Sequence, residues 1–440
     1  MGVGNPLDVL VIGSGGREHA IAWKLRQSPG VGRLYAAPGN AGTAEIGENL
    51  NLRDSDIPGL LGAVRSRGIG LTVVGPEGPL AAGCVDAFRA DGRLVFGPTQ
   101  AAARLESSKA WAKLFMGRHG IPTAKAAAFR TAADAIAHID RMTESTAVIK
   151  ADGLAAGKGV VVANSRAEAR NAVASVFSGA VPSSAISQVL VEERLTGTEV
   201  SVFAFVDGGY ASEWVAACDY KRVGDNDTGP NTGGMGAYSP PEFWTQDLAR
   251  TVRKNILEPV AAGMVSDGSP FTGVLYAGLM LTREGPKVIE FNCRLGDPEA
   301  QVILPRLHTD LLEILLAGAE GRLRDVAVDW SGRPHVCVVL ASGGYPGKYR
   351  TGVEVTGIDR LGAGAVVFHA GTKRDGDRVV TNGGRVLSVV AGGADVGAAR
   401  AAAYEGVSRI AFEGMIFRRD IAQRAAGRSH RIGLPRPGGS

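Results

Sequence analysis

Lysine is scarce in this 440-residue chain, eleven residues against 37 arginines, and cysteine is scarcer. Cys84, Cys218, Cys293 and Cys337 stand singly, without C-x-x-C spacing, so neither a disulfide framework nor a zinc site is expected, and a reducing compartment suits them. No apolar run approaches the ~18 residues that cross a bilayer. The opening Met-Gly-Val-Gly-Asn-Pro lacks the charged region and apolar core of an export signal, and Pro6 stands where a myristoylation signal has Ser or Thr. The expected location is the cytoplasm. Charge of one sign is also lacking: 48 basic and 44 acidic residues leave +4, much of it in Arg418, Arg419, Arg424, Arg428, Arg431 and Arg436. Neither nucleic acid nor a membrane is expected as a partner, and a monomer is the expected state.

What is present is a composition for globular cores, 45% hydrophobic, long enough for roughly three domains. Apolar β runs at Leu7 to Ile12, Leu34 to Ala37, Leu71 to Val74 and Leu94 to Phe96 alternate with helical patterns. That alternation predicts an α/β fold, a doubly wound parallel sheet, over residues 1–106. Residues 107–330 read as an α+β body with a small mobile lobe at about 125–192, which carries a helix near Arg166 to Phe177, and with a further helix at Ala249 to Val265. Residues 331–424 read as a smaller α+β domain with strands at Val336 to Leu340, Val366 to His369 and Val386 to Ala391 and a helix at Val396 to Ile410. Residues 425–440, rich in Gly, Pro, Arg and Ser, read as a disordered tail. There is no internal repeat.

Each strand of the first domain ends in a Gly- or Pro-rich turn, where open sheets bind ligands. Gly13-x-Gly15 invites a dinucleotide reading, but Glu18 replaces the third glycine and the second strand ends in Ala37-Pro38 without an acid. A turn with Gly15 and Gly16 opening a helix at about Arg17 to Arg26 remains. Its free N–H groups favour an anion such as a phosphate monoester, with a turn that merely lets the helix pack as the alternative.

Four of the eleven lysines fall in motif segments: Lys109 opens a helix, Lys150 and Lys158 bracket a glycine-rich hairpin, and Lys221 lies in a polar stretch. Lysine offers a phosphate a compact point charge. The segment Ile149 to Val162 reads as a hairpin, not a Walker loop, because Gly159 replaces Ser or Thr and strand follows. Gly157, Lys158 and Gly159 would close over a triphosphate while Lys150 reaches inward. Backbone groups at Glu192, Glu193 and Leu195 could read an adenine edge, and Glu199 could accept from ribose hydroxyls. The stretch Asp219 to Pro241 is too long and irregular for an ordinary connection, which predicts a functional loop.

In Val288 to Glu299 a strand's period aims Glu290 and Asn292 at one face and Ile289 and Phe291 at the other. A carboxylate beside an amide oxygen suits Mg²⁺ or Mn²⁺, although a lone E-x-N is more often a polar edge. Arg294 follows in step, able to hold a carboxylate or phosphate in a bidentate fork.

Taken in order, Val11 to Ala20, Lys150 to Val160, Asp219 to Gly236 and Glu290 to Glu299 resemble the ATP-grasp enzymes, and within them the glycinamide ribonucleotide synthetase family, over about residues 7–424. The resemblance implies ligation of glycine to 5-phosphoribosylamine with ATP, through glycyl phosphate, in purine synthesis. It implies Mg²⁺ or Mn²⁺ at Glu290 and Asn292, and nucleotide contacts from Lys109, Lys150, Lys158 and the Glu192 to Glu199 segment. It places the ribosylamine phosphate at Gly13, Ser14, Gly15, Gly16 and Arg17 with Asn40. Asp219, Lys221, Gly233 and Asp297 would meet the substrates, with Arg294, Lys221 and Lys158 at the reacting centre. Arg294→Ala is then expected to slow the reaction greatly with little change in folding. The strand Ala277 to Thr282 carries no acid for a second metal ion, and a fused multi-enzyme form is not expected. The alternatives are another ATP-grasp carboxylate–amine ligase or carboxylase, and a noncatalytic nucleotide sensor.

Overall fold

The computed structural model describes residues 6–154, 159–179, 188–362 and 364–429. The first apolar runs form a five-stranded parallel sheet in the order Glu48–Asn49, Val31–Pro38, Leu7–Gly13, Leu71–Val74, Val95–Phe96. Strand order reverses around Leu7–Gly13, so the turns after Gly13 and Val74 open beside each other at a switch point. The helix Gly16–Leu25 leaves the first turn.

Four antiparallel strands, Ala126–Phe129, Val189–Glu192, Ala147–Ala151 and Val160–Ala163, make the small lobe. Helices Ala132–Arg141 and Arg166–Phe177, N-capped by Thr131 and Ser165, bury Ile139 and Val173 against Ile149 and Val191 in a core separate from the rest.

A nine-stranded antiparallel sheet spans the remaining chain. Eight strands run in the order Gly285–Asn292, Thr272–Thr282, Thr198–Asp207, Val215–Asp219, Gly236–Ser239, His335–Ala341, Arg385–Gly392, Ala365–His369, and Tyr210–Ala211 pairs with Thr198–Asp207. Residues 236–239 pair with 335–338, so one hydrogen-bonded ladder carries the C-terminal strands onto the central ones. Phe203, Val215, Tyr276, Val339 and Val390 on one face pack with Ile303 and Leu315 toward Val9 and Val11 of the first sheet.

Four expectations change. A bulge between Gly278 and Leu279 sends Val288 and Phe291 into the core and leaves Ile289 half-buried, because an inserted residue resets the strand's period. The helix expected at Ala249 to Val265 is interrupted by a π turn at Arg253–Leu257, which ends two residues before Pro259, whose nitrogen cannot donate. The stretch 219–241 is ordered by a hairpin of Arg222–Gly224 with Thr228–Asn231 and by the strand Gly236–Ser239. Its tip holds Asn226 and Asp227 at φ 57° and 56°. The expected disordered tail starts as a helix, Gln423–Ser429, anchored by Ala425 at 1% exposure; residues 430–440 lie outside the described ones. Among the described residues no helix is long and apolar enough to cross a membrane.

Candidate active site

Sheet register gathers the polar residues. Gly278 lies opposite both Glu290 and Ser201, Tyr276 opposite Asn292, and Ser201 opposite Ala217. Counting by twos puts Glu290, Asn292, Tyr276, Ser201, Glu199 and Asp219 on one face of four adjacent strands. Lys221 Nζ closes the far side, 3.0 Å from Glu199 Oε2 and 3.0 Å from Asp219 Oδ1. Burial opposes its charge, but Asp219 and Glu199 win and raise its pKa well above the ordinary value. Gly278 leaves the floor beside Glu290 without a side chain.

The Glu290 carboxylate and Asn292 amide oxygen are hard donors on that open face. Among the described residues no group of three or more His, Cys, Asp or Glu could hold an ion. A two-residue set fits Mg²⁺, which keeps several waters and takes the rest of its oxygens from phosphates. The neighbouring strand supplies no acid, so a second ion finds no ligand there.

Arg294 is held by groups that sequence reasoning missed. Its Nε bonds Glu77 Oε2 at 3.1 Å and its Nη2 reaches Glu106 Oε1 at 2.8 Å and Asn292 Oδ1 at 3.3 Å, while Nη1 bonds the Leu295 carbonyl at 3.2 Å. At most one N–H remains, so in this arrangement it cannot present a two-pronged fork to a ligand. Burial would raise the Glu77 carboxyl, but Arg294 with Arg17 holds it down at about 2. Burial pushes Glu106 up against the pull of Arg294. The guanidinium is therefore a structural counter-charge, and a folding-neutral Arg294→Ala is no longer expected. Glu77 sits in the Pro76-Glu77 turn after the fourth strand, a signal the sequence carried.

Around the nucleotide-type lysines, Lys150 Nζ bonds Glu192 Oε2 at 3.1 Å and the bulged Ile289 carbonyl at 2.9 Å. Lys109 Nζ bonds the Gly153 carbonyl at 2.8 Å, and burial lowers its pKa. Lys113, one turn beyond Lys109, was missed; it shares Glu192 Oε2 at 3.2 Å, and burial lowers it to about 8. Glu192 is buried, and its Oε1 has no partner among the described residues. Glu193 N donates to the Lys125 carbonyl, which turns an edge-reading role toward Leu195. The Gly159 carbonyl accepts from Ala151 at the hairpin's base; Gly157 and Lys158 lie outside the described residues.

The first turn differs from its expectation. Gly15 N donates to Glu18 Oε2 at 2.6 Å, so the helix start is capped by its own carboxylate. Arg17 is buried, bonding Glu18 Oε1 at 2.5 Å and the Leu295 carbonyl at 3.2 Å, which ties the first domain to the segment that follows the edge strand. Asn40 donates to the Ser14 and His369 carbonyls at 2.9 and 2.8 Å and accepts from Gly42 and Thr43. Sequence spacing cannot tell whether a polar side chain is satisfied from within. A cavity of about 350 Å³ nevertheless opens here, lined by Ser14, Gly15, Gly39 and Asn40 on one side and Asp297, Thr372, Asn382 and Arg385 on the other. The position of Gly16 is explained by close approach: a Cβ there would fall 2.5 Å from Gln301 Nε2. Arg385 pins the far wall through the Gly233 and Asp297 carbonyls at 2.5 and 2.6 Å, and Gly233 N donates to Tyr345 Oη at 3.0 Å.

Three family models match in order: phosphoribosylglycinamide synthetase N domain over residues 7–106, ATP-grasp (A) domain over 107–300 and C domain over 335–424. The chain belongs to the phosphoribosylglycinamide synthetase family. It is 50% identical to a phosphoribosylamine–glycine ligase of Vibrio cholerae over 426 residues, 96% of this chain and 99% of that protein. The corresponding Escherichia coli ligase is 49% identical over 424 residues, 95% and 99% of the two chains. The crystal structure of the Thermotoga maritima phosphoribosylamine–glycine ligase superposes with a TM-score of 0.82 at 35% identity, covering 94% of this chain and all of that one. A Campylobacter jejuni biotin carboxylase, at 14% identity and TM-score 0.70 over 93% and 92% of the chains, shares the fold with this family member.

Proposed function

We infer that this chain joins glycine to 5-phosphoribosylamine with ATP, giving glycinamide ribonucleotide, ADP and phosphate in de novo purine synthesis. The observation that carries the reading is the polar face of four strands, with Glu290 and Asn292 at one end and Lys221 at the other, in a chain with all three family domains. A glycine carboxylate oxygen attacks the γ-phosphorus and ADP leaves. The ribosylamine nitrogen then attacks the glycyl carbonyl carbon and phosphate leaves. Such chemistry asks mainly for positioning and charge neutralisation.

Residues 107–330 hold ATP, with the lobe of about 125–192 closing over it, and Lys109, Lys150 and Lys158 offset the phosphate charge. Leu195 and the backbone around it face the adenine, and Glu199 the ribose. Glu290 and Asn292 would hold Mg²⁺ or Mn²⁺, which when bound supplies positive charge to the phosphate oxygens. Residues 1–106 and 331–424 clasp the ribosyl phosphate in the cavity between Ser14 and Thr372. Asp219, Lys221, Gly233 and Asp297 border the meeting point of the two substrates, and Arg294 aligns Asn292 from behind. The enzyme works as a cytoplasmic monomer.

The test measures ADP release with glycine alone, the amine alone, and both. Release that requires glycine and is completed with both substrates supports the ligase; release without either, or only with another acid, refutes it.

A further inference from the structure

Glu299 takes no part in the scheme above, yet it lies where the two substrate regions meet. Its own segment starts at Arg294, beyond the edge strand that carries Glu290 and Asn292, and passes Asp297, which lines the 350 Å³ cavity. Glu299 is 3% exposed, and both of its side-chain hydrogen bonds go to Oε1: Tyr276 donates at 2.9 Å and Ser201 at 3.3 Å. Ser201 Oγ also lies 2.8 Å from Tyr276 Oη, so the single Ser201 proton is shared between that oxygen and Glu299 Oε1. No side chain bonds Oε2 among the described residues. The carboxyl is thus fixed over the polar sheet face through Oε1, which leaves Oε2 without a side-chain partner among the described residues.

We propose that Glu299 accepts the proton lost by the amine as it attacks the activated glycine. The proposal rests on the ligase reading. The C–N bond forms between the ribosylamine nitrogen and the glycyl carbonyl carbon, and the C–O bond to phosphate breaks. Phosphate departs with that bond's electron pair, and the N–H proton passes to the Glu299 carboxylate and later to water. Of the other carboxylates on that face, Asp219 and Glu199 are held in the Lys221 ion pairs, and Glu290 is assigned to the metal.

The surroundings suit a group that takes and releases protons near neutrality. Burial, then the negative charge of Asp219, raise Glu299 to about 7, while Lys221, its own backbone N–H and the hydrogen bond from Tyr276 pull the other way. The charges of Arg294 and Arg385 and the buried Cys337 thiol also lie within its electrostatic reach. A base near the working pH is effective in proton transfer.

The test separates the two halves of the reaction. Hydroxylamine, a strong nucleophile, should trap glycyl phosphate as glycine hydroxamate without help from a protein base. Wild-type ligation should fall as pH drops below about 7, as Glu299 becomes protonated, and hydroxamate synthesis should lack that limb. Glu299→Gln should lower ligation above neutrality by about 100-fold and leave hydroxamate synthesis unchanged; Glu299→Asp should restore part of the ligation. Equal loss of both reactions in Glu299→Gln overturns the proposal. If that variant does not fold, the two wild-type profiles decide, and a shared acid limb overturns it. A wild-type protein that makes neither hydroxamate nor product refutes the ligase reading instead.

Discussion

Replacing Arg294 by Met removes a guanidinium and keeps most of the stem, so the cost falls on the carboxylates it leaves behind. Glu77 is held at about 2 against an ordinary 4.5, which at about 1.36 kcal/mol per pH unit is roughly 3 kcal/mol. Its side chain is 32% exposed, so solvent screening reduces this to about 1.5 kcal/mol. The Glu106 side chain is 8% exposed and loses more, limited by its ability to take up a proton. The sum agrees with the ~3–5 kcal/mol typical of breaking a buried ion pair. Urea unfolding followed by circular dichroism at neutral pH should show that loss. Adding Glu106→Gln to Arg294→Met removes the stranded charge and should recover about 1–3 kcal/mol. The sign with pH is fixed: a depressed carboxyl pKa contributes stability above the unfolded value and loses it as pH falls toward the folded one. The parent should therefore lose this contribution between pH 4.5 and about 2, and Arg294→Met should be flatter there. A variant within about 1 kcal/mol of the parent, with no gain from the second substitution, would refute the counter-charge role.

Burial holds His19 near pKa 3 and His369 near 4, both ordinarily 6.5, and His19 Nδ1 must stay unprotonated to accept from His369 N at 2.8 Å. Stability should fall as pH drops below 6.5, by about 2 kcal/mol per histidine at about pH 5; urea melts across that range should flatten in His19→Gln, and an unchanged slope would count against it. Lys150→Met should raise the KM for ATP by about 10- to 100-fold, since a charge-assisted bond is worth ~1.5–3 kcal/mol; initial-rate kinetics with unchanged KM would contradict this. Arg418, 1% exposed, pairs with Asp227 and Asp420 and lies 4.8 Å from the Tyr220 ring centroid, strapping the 222–231 hairpin to the C-terminal segment. Arg418→Ala should cost about 3–5 kcal/mol and speed proteolysis within that hairpin, and equal cleavage rates would exclude the strap.

Much of the fold was readable because it rests on short-range periodicity. Leu71–Val74 and Arg166–Phe177 have the bounds their residues predict. The bulge at Ile289 was not readable, since an inserted residue is visible only against the partner strand. The same limit applies to the site. Glu290 and Asn292 could be paired from the two-residue period, and the lysines stood out by their rarity. Asn40 and Arg17 were read as ligand-facing because their type and place suit a phosphate, whereas their hydrogen bonds go to the protein itself.

By itself the sequence determined the order of the domains, the strand that carries the metal-type oxygens, and the family reaction its motifs imply. Each of these is written within a dozen neighbouring residues, where backbone geometry sets which side chains share a face. Tertiary structure alone decided what Arg294 pairs with, since Glu77 lies 217 positions away. It also decided that Glu299, Tyr276, Ser201 and Asp219 converge over one sheet face. Charge and burial act through space, and only the register of the folded sheet turns distant positions into neighbours.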